Sequence, residues 1–143
     1  MIKIGNNLSE WSSYSCQPKT KDELKEIIES RISKDGLNCD LNDIDVSLIT
    51  DMSWLFYNSE FNGDISKWNV SNVKTTWCMF AYSEFNGDLS KWDVSNVNEM
   101  HGMFANSKFN KDISNWNIRK DGNTRLMFAG CHIRKEFKPK SLQ

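Results

Sequence analysis

No stretch of the 143-residue chain approaches the roughly 18 consecutive apolar residues of a membrane helix, and the opening Met-Ile-Lys-Ile-Gly-Asn-Asn-Leu-Ser-Glu-Trp has no apolar run that would serve as a signal peptide. A cytoplasmic location is therefore expected; a cell-surface one would require a leader upstream of Met1. The four cysteines, Cys16, Cys39, Cys78 and Cys131, include no Cys-x-x-Cys pair, so neither a zinc site nor a disulfide framework is indicated and free thiols are expected. Histidine is scarce too: His101 and His132 share no spacing that would suggest a metal cluster or a Cys/His nucleophile. Gly-rich phosphate loops, His-Glu-x-x-His and Gly-x-Ser-x-Gly are all missing. The expectation is a protein that is not an enzyme and takes no cofactor or metal.

What the chain does contain is aromatic and charged: 12% Phe, Trp and Tyr with 26% Asp, Glu, Lys and Arg, the composition of a folded domain rather than a disordered one. The net charge of −1 conceals an asymmetry. Residues 1–107 carry 9 Lys and Arg against 16 Asp and Glu, a net of −7, whereas residues 108–143 carry 9 against 3, a net of +6.

The large residues recur at one interval. A shift of 24 aligns Phe61, Phe85 and Phe109; Trp68, Trp92 and Trp116; Val70, Val94 and Ile118; and Phe56, Phe80, Phe104 and Phe128. A degenerate first copy holds Leu37, Asn38, Asp40, Ile44, Val46, Met52 and Phe56 in the same slots. Such a period signifies stacked repeats, giving units 37–60, 61–84, 85–108 and 109–132. Residues 1–36 form a lead-in and cap, and 133–143 a basic tail. In the lead-in Ile2, Ile4, Leu8, Trp11 and Tyr14 precede Pro18 without clean periodicity. Thr20 followed by Glu23 is a capping box, and Leu24, Ile27, Ile28 and Ile32 keep helical spacing up to Gly36, a C-terminal stop.

Within a unit the pattern reads strand, turn, helix. Alternation puts Trp68 and Val70 on one side with Lys67 and Asn69 on the other, and Val97, Met100, Met103 and Phe104 follow helical spacing after a capping Ser95. The fold expected is an α/β, short right-handed leucine-rich-repeat-like solenoid of four coils with an N-terminal capping helix. The Asn38, Asn62, Asn86, Asn110 row and its companion Asp40, Asp64, Asp88, Asp112 could line up oxygens for calcium, but satisfying turn backbone is the reading preferred. The residue between them varies as Cys39, Gly63, Gly87 and Lys111, which argues against an obligatory positive φ.

The units Phe61-Asn-Gly-Asp-Ile-Ser-Lys-Trp-Asn-Val-Ser-Asn-Val73 and Phe85-Asn-Gly-Asp-Leu-Ser-Lys-Trp-Asp-Val-Ser-Asn-Val97, each with its following Met-Phe, closely resemble the BspA-type repeats of bacterial surface proteins, also found in Mycoplasma-type lipoproteins. The resemblance covers about residues 20–132. It implies a leucine-rich-repeat-like solenoid that binds other macromolecules, in proteins that are usually secreted or lipid-anchored.

Candidate site residues are those that break the repeat, because a core slot must recur and a surface slot need not. One row reads Ser53, Trp77, His101, Arg125, its neighbour Trp54, Cys78, Gly102, Leu126, and Tyr82 stands where Asn58, Asn106 and Gly130 stand in other units. Trp54, Trp77, Tyr82, His101 and Arg125 are the expected partner-binding residues, aromatic and Arg side chains being favoured interface anchors. The basic end, Arg119, Lys120, Arg125, Arg134, Lys135, Lys138 and Lys140, is the second candidate, suited to phosphates or an acidic protein surface. The leading expectation is a non-enzymatic protein–protein interaction module, in one version a small bacterial or phage-encoded inhibitor. Its rivals are a surface adhesin or a fragment of one, and nucleic-acid binding through the basic end, for which Phe128 and Phe137 give thin aromatic support. A monomer, or a dimer through the open C-terminal end, is compatible with this reading.

Overall fold

Thr20 starts the one α-helix among the described residues, which are 14–143 in this computed structural model. The helix, α1 (Lys21–Asp35), is capped by the Thr20 side chain, which accepts from the Glu23 N–H at 3.2 Å, and Glu23 accepts in return from the Lys19 N–H at 2.8 Å. At its far end the N–H of Gly36, at φ 95°, bonds the Ile32 carbonyl. Leu24 and Ile28 are its buried face. Polar ties bind it to unit 37–60: Lys21 lies 3.4 Å from Asp51, and Arg31 lies 2.8 Å from Asp43. The lead-in residues 1–13 fall outside the described segment, but Cys16 pairs in parallel with Ile44.

The strand-turn-helix solenoid of α/β class expected from the sequence is not formed. Beyond α1 the described residues contain only isolated parallel bridges and two 3-10 turns, Lys135–Phe137 and Lys140–Leu142. The segment read as a helix differs because its backbone divides its hydrogen bonds in two directions. The N–H groups of Leu55, Tyr57 and Ser59 bond carbonyls three residues back, whereas those of Met52, Trp54, Phe56 and Asn58 bond Thr75, Trp77, Met79 and Ala81 in the following unit. The pattern repeats in the next two units: Thr76, Cys78, Phe80 and Tyr82 bond forward to Glu99, His101, Met103 and Ala105, and Met100, Gly102, Phe104 and Asn106 to Asn123, Arg125, Met127 and Ala129. An α-helix would send every N–H four residues back within its own segment. Here two residues of each unit, four apart, enter left-handed backbone instead: Trp54, Cys78, Gly102 and Leu126 at φ 51–64°, and Asn58, Tyr82, Asn106 and Gly130 at φ 54–67°. The result is a spiral of tight turns with the same inward spacing of Val97, Met100, Met103 and Phe104.

The segment read as a strand is broken in the same way. Asn69 and Asp93 each accept from the N–H and hydroxyl of the serine two residues on, Ser71 and Ser95, so those serines are bound within a turn rather than capping a helix. Trp68 and Val70 nonetheless face inward, and Lys67 and Asn69 outward.

Rings stack along the interior. Phe56, Phe80, Phe104 and Phe128 stand 5.5–5.7 Å apart and within 4° of parallel, and Phe61, Phe85 and Phe109 stand 6.2–6.4 Å apart. Trp68, Trp92 and Trp116 are buried and reach back to the preceding unit, their indole N–H groups donating to Leu41, Ile65 and Leu89 carbonyls at 2.9–3.0 Å. The tryptophans thus bury their rings without orphaning a donor.

Candidate functional site: an exposed aromatic face

The interior fixes the turn spiral, and the spiral decides which side chains leave it. Trp54 and Trp77 occupy neighbouring slots of successive units, Trp54 in the left-handed position, and their rings lie 6.2 Å apart. Tyr57 packs edge-on against Trp54 at 4.9 Å and against Tyr82 at 5.8 Å, while Trp77 meets His101 edge-on at 5.7 Å. The order Tyr82, Tyr57, Trp54, Trp77, His101 is therefore continuous across three units. Trp54, Tyr57 and Trp77 each leave 45% of their surface in solvent and Tyr82 leaves 56%. The rings meet in edge-on and tilted pairs rather than in parallel stacks, and each of the four keeps about half its surface in solvent.

Four of the five expected partner-binding residues, Trp54, Trp77, Tyr82 and His101, meet here, and Arg125 lies on the same row one unit further, exposed. Tyr57 was missed. Its slot holds Ala81, Ala105 and Ala129 in the other units, so a ring among alanines was the available signal. Backbone geometry adds a second mark. Trp54 and Tyr82 hold left-handed φ of 64° and 59°; the Trp54 slot holds Cys78, Gly102 and Leu126 in other units, whereas the Tyr82 slot holds Asn58, Asn106 and Gly130, residues that adopt this conformation with little or no penalty.

At the basic end the side chains differ in what they touch. Arg119 is engaged by Asp121 at 2.9 Å, Arg134 lies over the Phe137 ring and Lys138 over the Phe128 ring, while Lys120 and Lys135 are exposed.

The repeated carboxylates serve turns. Asp40, Asp64, Asp88 and Asp112 each accept, at 2.8–2.9 Å, from the N–H two residues on. The Ser66 N–H holds Asp64 below the usual carboxylate range, and the Ser90 hydroxyl and N–H do the same for Asp88. The asparagines form a ladder beside them: Asn62 accepts from the Asn86 N–H, Asn86 from Asn110 and Asn110 from Arg134, at 2.8–2.9 Å. Among the described residues no three His, Cys, Asp or Glu side chains converge as a metal site would require. All four cysteines are free and half-buried, and burial pushes the Cys39 and Cys78 thiols up. No helix among the described residues is long and apolar enough to cross a membrane.

No curated protein and no solved structure matches the chain. A family model does, over residues 23–140, a span that takes in α1 beyond its first two residues, every stacked unit and the basic segment that follows. The chain belongs to the family described as Mycoplasma protein of unknown function, DUF285.

Proposed function

We propose that this protein is a non-enzymatic interaction module that docks on another protein through the face formed by Trp54, Tyr57, Trp77, Tyr82 and His101. The observation that carries this reading is the joining of exposure and backbone cost. Four large rings stand out of a structure that buries its other aromatic columns, and two of them occupy left-handed positions where glycine or asparagine would be less strained. Neither ring contributes to the interior stacks. Large aromatics of limited conformational freedom are the side chains that most often anchor protein interfaces, and strain maintained at exposed positions is characteristic of functional sites. The resemblance of the 24-residue motif to BspA-type repeats supports the same reading, because that resemblance implies macromolecular binding.

The test is affinity capture from native lysate with the wild-type chain beside a Trp54→Gly, Trp77→Ala, Tyr82→Asn variant whose circular dichroism matches the wild type. A protein retained by the wild type and lost at least about tenfold by the variant is the expected result. Equal retention of that protein by both would place the contact elsewhere.

A further inference from the structure

A different part of the molecule carries an independent inference. In every unit that has a successor, four N–H groups in alternate positions point along the stack and donate to the next unit, at 2.7–3.0 Å from Met100, Gly102, Phe104 and Asn106. The equivalent donors of the last unit are Thr124, Leu126, Phe128 and Gly130, and none of them has a hydrogen-bond partner among the described residues. The segment after that unit reaches it at three points, the Phe137 carbonyl accepting from Ile113, Arg134 completing the asparagine ladder and Lys138 lying over the Phe128 ring, but it brings no acceptor to the four N–H groups. The edge from Thr124 to Gly130 is left open, with Leu126 exposed over 55% of its surface.

This edge is unlike that of an ordinary β-strand, where outward donors and acceptors both occur. Here the row is made of donors only, because the carbonyls of Asn123, Arg125, Met127 and Ala129 are consumed by the preceding unit. A row of N–H groups with no carbonyl beside them is a concentration of positive partial charge. Arg125 lies within it, Lys138 at its side, and residues 108–143 carry the net +6.

We propose that the Thr124–Gly130 edge docks an acidic polypeptide segment of a partner protein, seated where a further unit would lie, with main-chain carbonyls and carboxylates accepting from the four N–H groups. Carbonyls are what these donors bind in every other unit, and exposed Leu126 offers an apolar contact that a polypeptide side chain fills. A nucleic acid is disfavoured because the Phe128 ring, the aromatic face at this end, is already under Lys138. A second copy stacked end to end would have to present the Asp51, Ser53, Leu55 and Tyr57 carbonyls alongside α1, whose Lys21 bonds the Ser53 hydroxyl and pairs with Asp51, and the oligomeric state in the test below separates that occupant from a partner segment.

The test uses the full chain, isotope-labelled for amide NMR, and a capped eight-residue peptide alternating Glu and Val. In the free chain the four amides should exchange with solvent at least about tenfold faster than those of Met100, Gly102, Phe104 and Asn106. The peptide should shift these four resonances and slow their exchange about tenfold, and Arg125→Glu should weaken that binding at least about fivefold with the fold unchanged. The aromatic-face variant should leave the effect intact, so failure of one proposal is separable from failure of the other. The proposal is overturned if the Glu peptide leaves these amides unmoved, or if a Lys-for-Glu peptide or a single-stranded DNA oligomer moves them equally. Amides already protected in a free chain that sediments as a dimer would also overturn it, in favour of a second copy.

Discussion

Trp92 and Trp77 lie 15 residues apart in one repeating backbone, and the difference between them separates the molecule into two kinds of position. Trp92 stacks on Trp68 at 6.5 Å, donates to the Ile65 carbonyl and is 4% exposed. Trp77 stands half in solvent, edge-on to His101. Inside, each slot is constrained by the same slot above and below it, so Phe56, Phe80, Phe104 and Phe128 are one residue type repeated. Outside, the slot next to Trp77 reads Trp54, Cys78, Gly102, Leu126, four unrelated side chains on one backbone conformation. Repetition in this protein is enforced by stacking inside and by turn hydrogen bonds outside, as at Asp40, Asp64, Asp88 and Asp112, and where neither acts the sequence is free.

The sharpest way to break that comparison is to make the same truncation on both sides. Trp92→Ala removes a buried ring and leaves the Ile65 carbonyl without its partner, a loss of about 4–5 kcal/mol, comparable with the entire stability of a small domain. Urea unfolding followed by circular dichroism should show the variant largely unfolded, whereas Trp77→Ala should stay within about 0.5 kcal/mol of wild type. A folded, cooperative Trp92→Ala protein would remove the distinction.

Gly63→Ala tests closeness of packing between units. A methyl group there would meet the Cys39 carbonyl and the Phe61 ring, for a cost of about 1–3 kcal/mol in the same assay, although Lys111 fills the equivalent slot of the last unit. Acid acts on the outer turns next. The bonds to Ser66, Ser90 and Ser95 lower the carboxyl groups of Asp64, Asp88 and Asp93. The unfolded chain therefore binds protons at higher pH than the folded one, so this contribution is complete above the unfolded value near 4 and is lost as pH falls through the lower folded values. The urea midpoint should drop below about pH 4, and less steeply in an Asp64→Asn, Asp88→Asn variant. The smallest effect has the opposite sign. Tyr82→Asn should raise stability by about 0.5 kcal/mol, because asparagine adopts left-handed backbone more readily, while weakening capture of the partner.

The interior was legible because rings of one type recur at one interval, which few arrangements other than stacking demand. The cap was legible too, with Thr20, Glu23 and Gly36 acting as their chemistry implies. The path of the chain between the rings was not. Inward spacing at Val97, Met100, Met103 and Phe104 is common to a helix and to a spiral of turns, and the apolar pattern alone favours the commoner element. The distinguishing residues were polar or small: Asn58, Asn106, Gly102 and Gly130 in slots that prove left-handed, and Asn69 and Asp93 placed two residues before serines. Of the aromatic face, the rings that break the repeat were visible. Their union was not, since Tyr57, which joins Trp54 to Tyr82, stands out only against the Ala81, Ala105 and Ala129 of its slot, a contrast that apolar periodicity does not register.

The direction of the hydrogen bonds has a consequence for how the chain is made. Each buried indole looks backwards, to a carbonyl 27 residues earlier in the chain, so the acceptor every such tryptophan needs has been synthesised before it. The N–H row of the same unit looks forwards and must wait for the next unit to be translated. Growth is therefore polar, with an adhesive front that each addition covers and renews. Among the described residues, the Thr124–Gly130 edge is the one such front that no later unit covers.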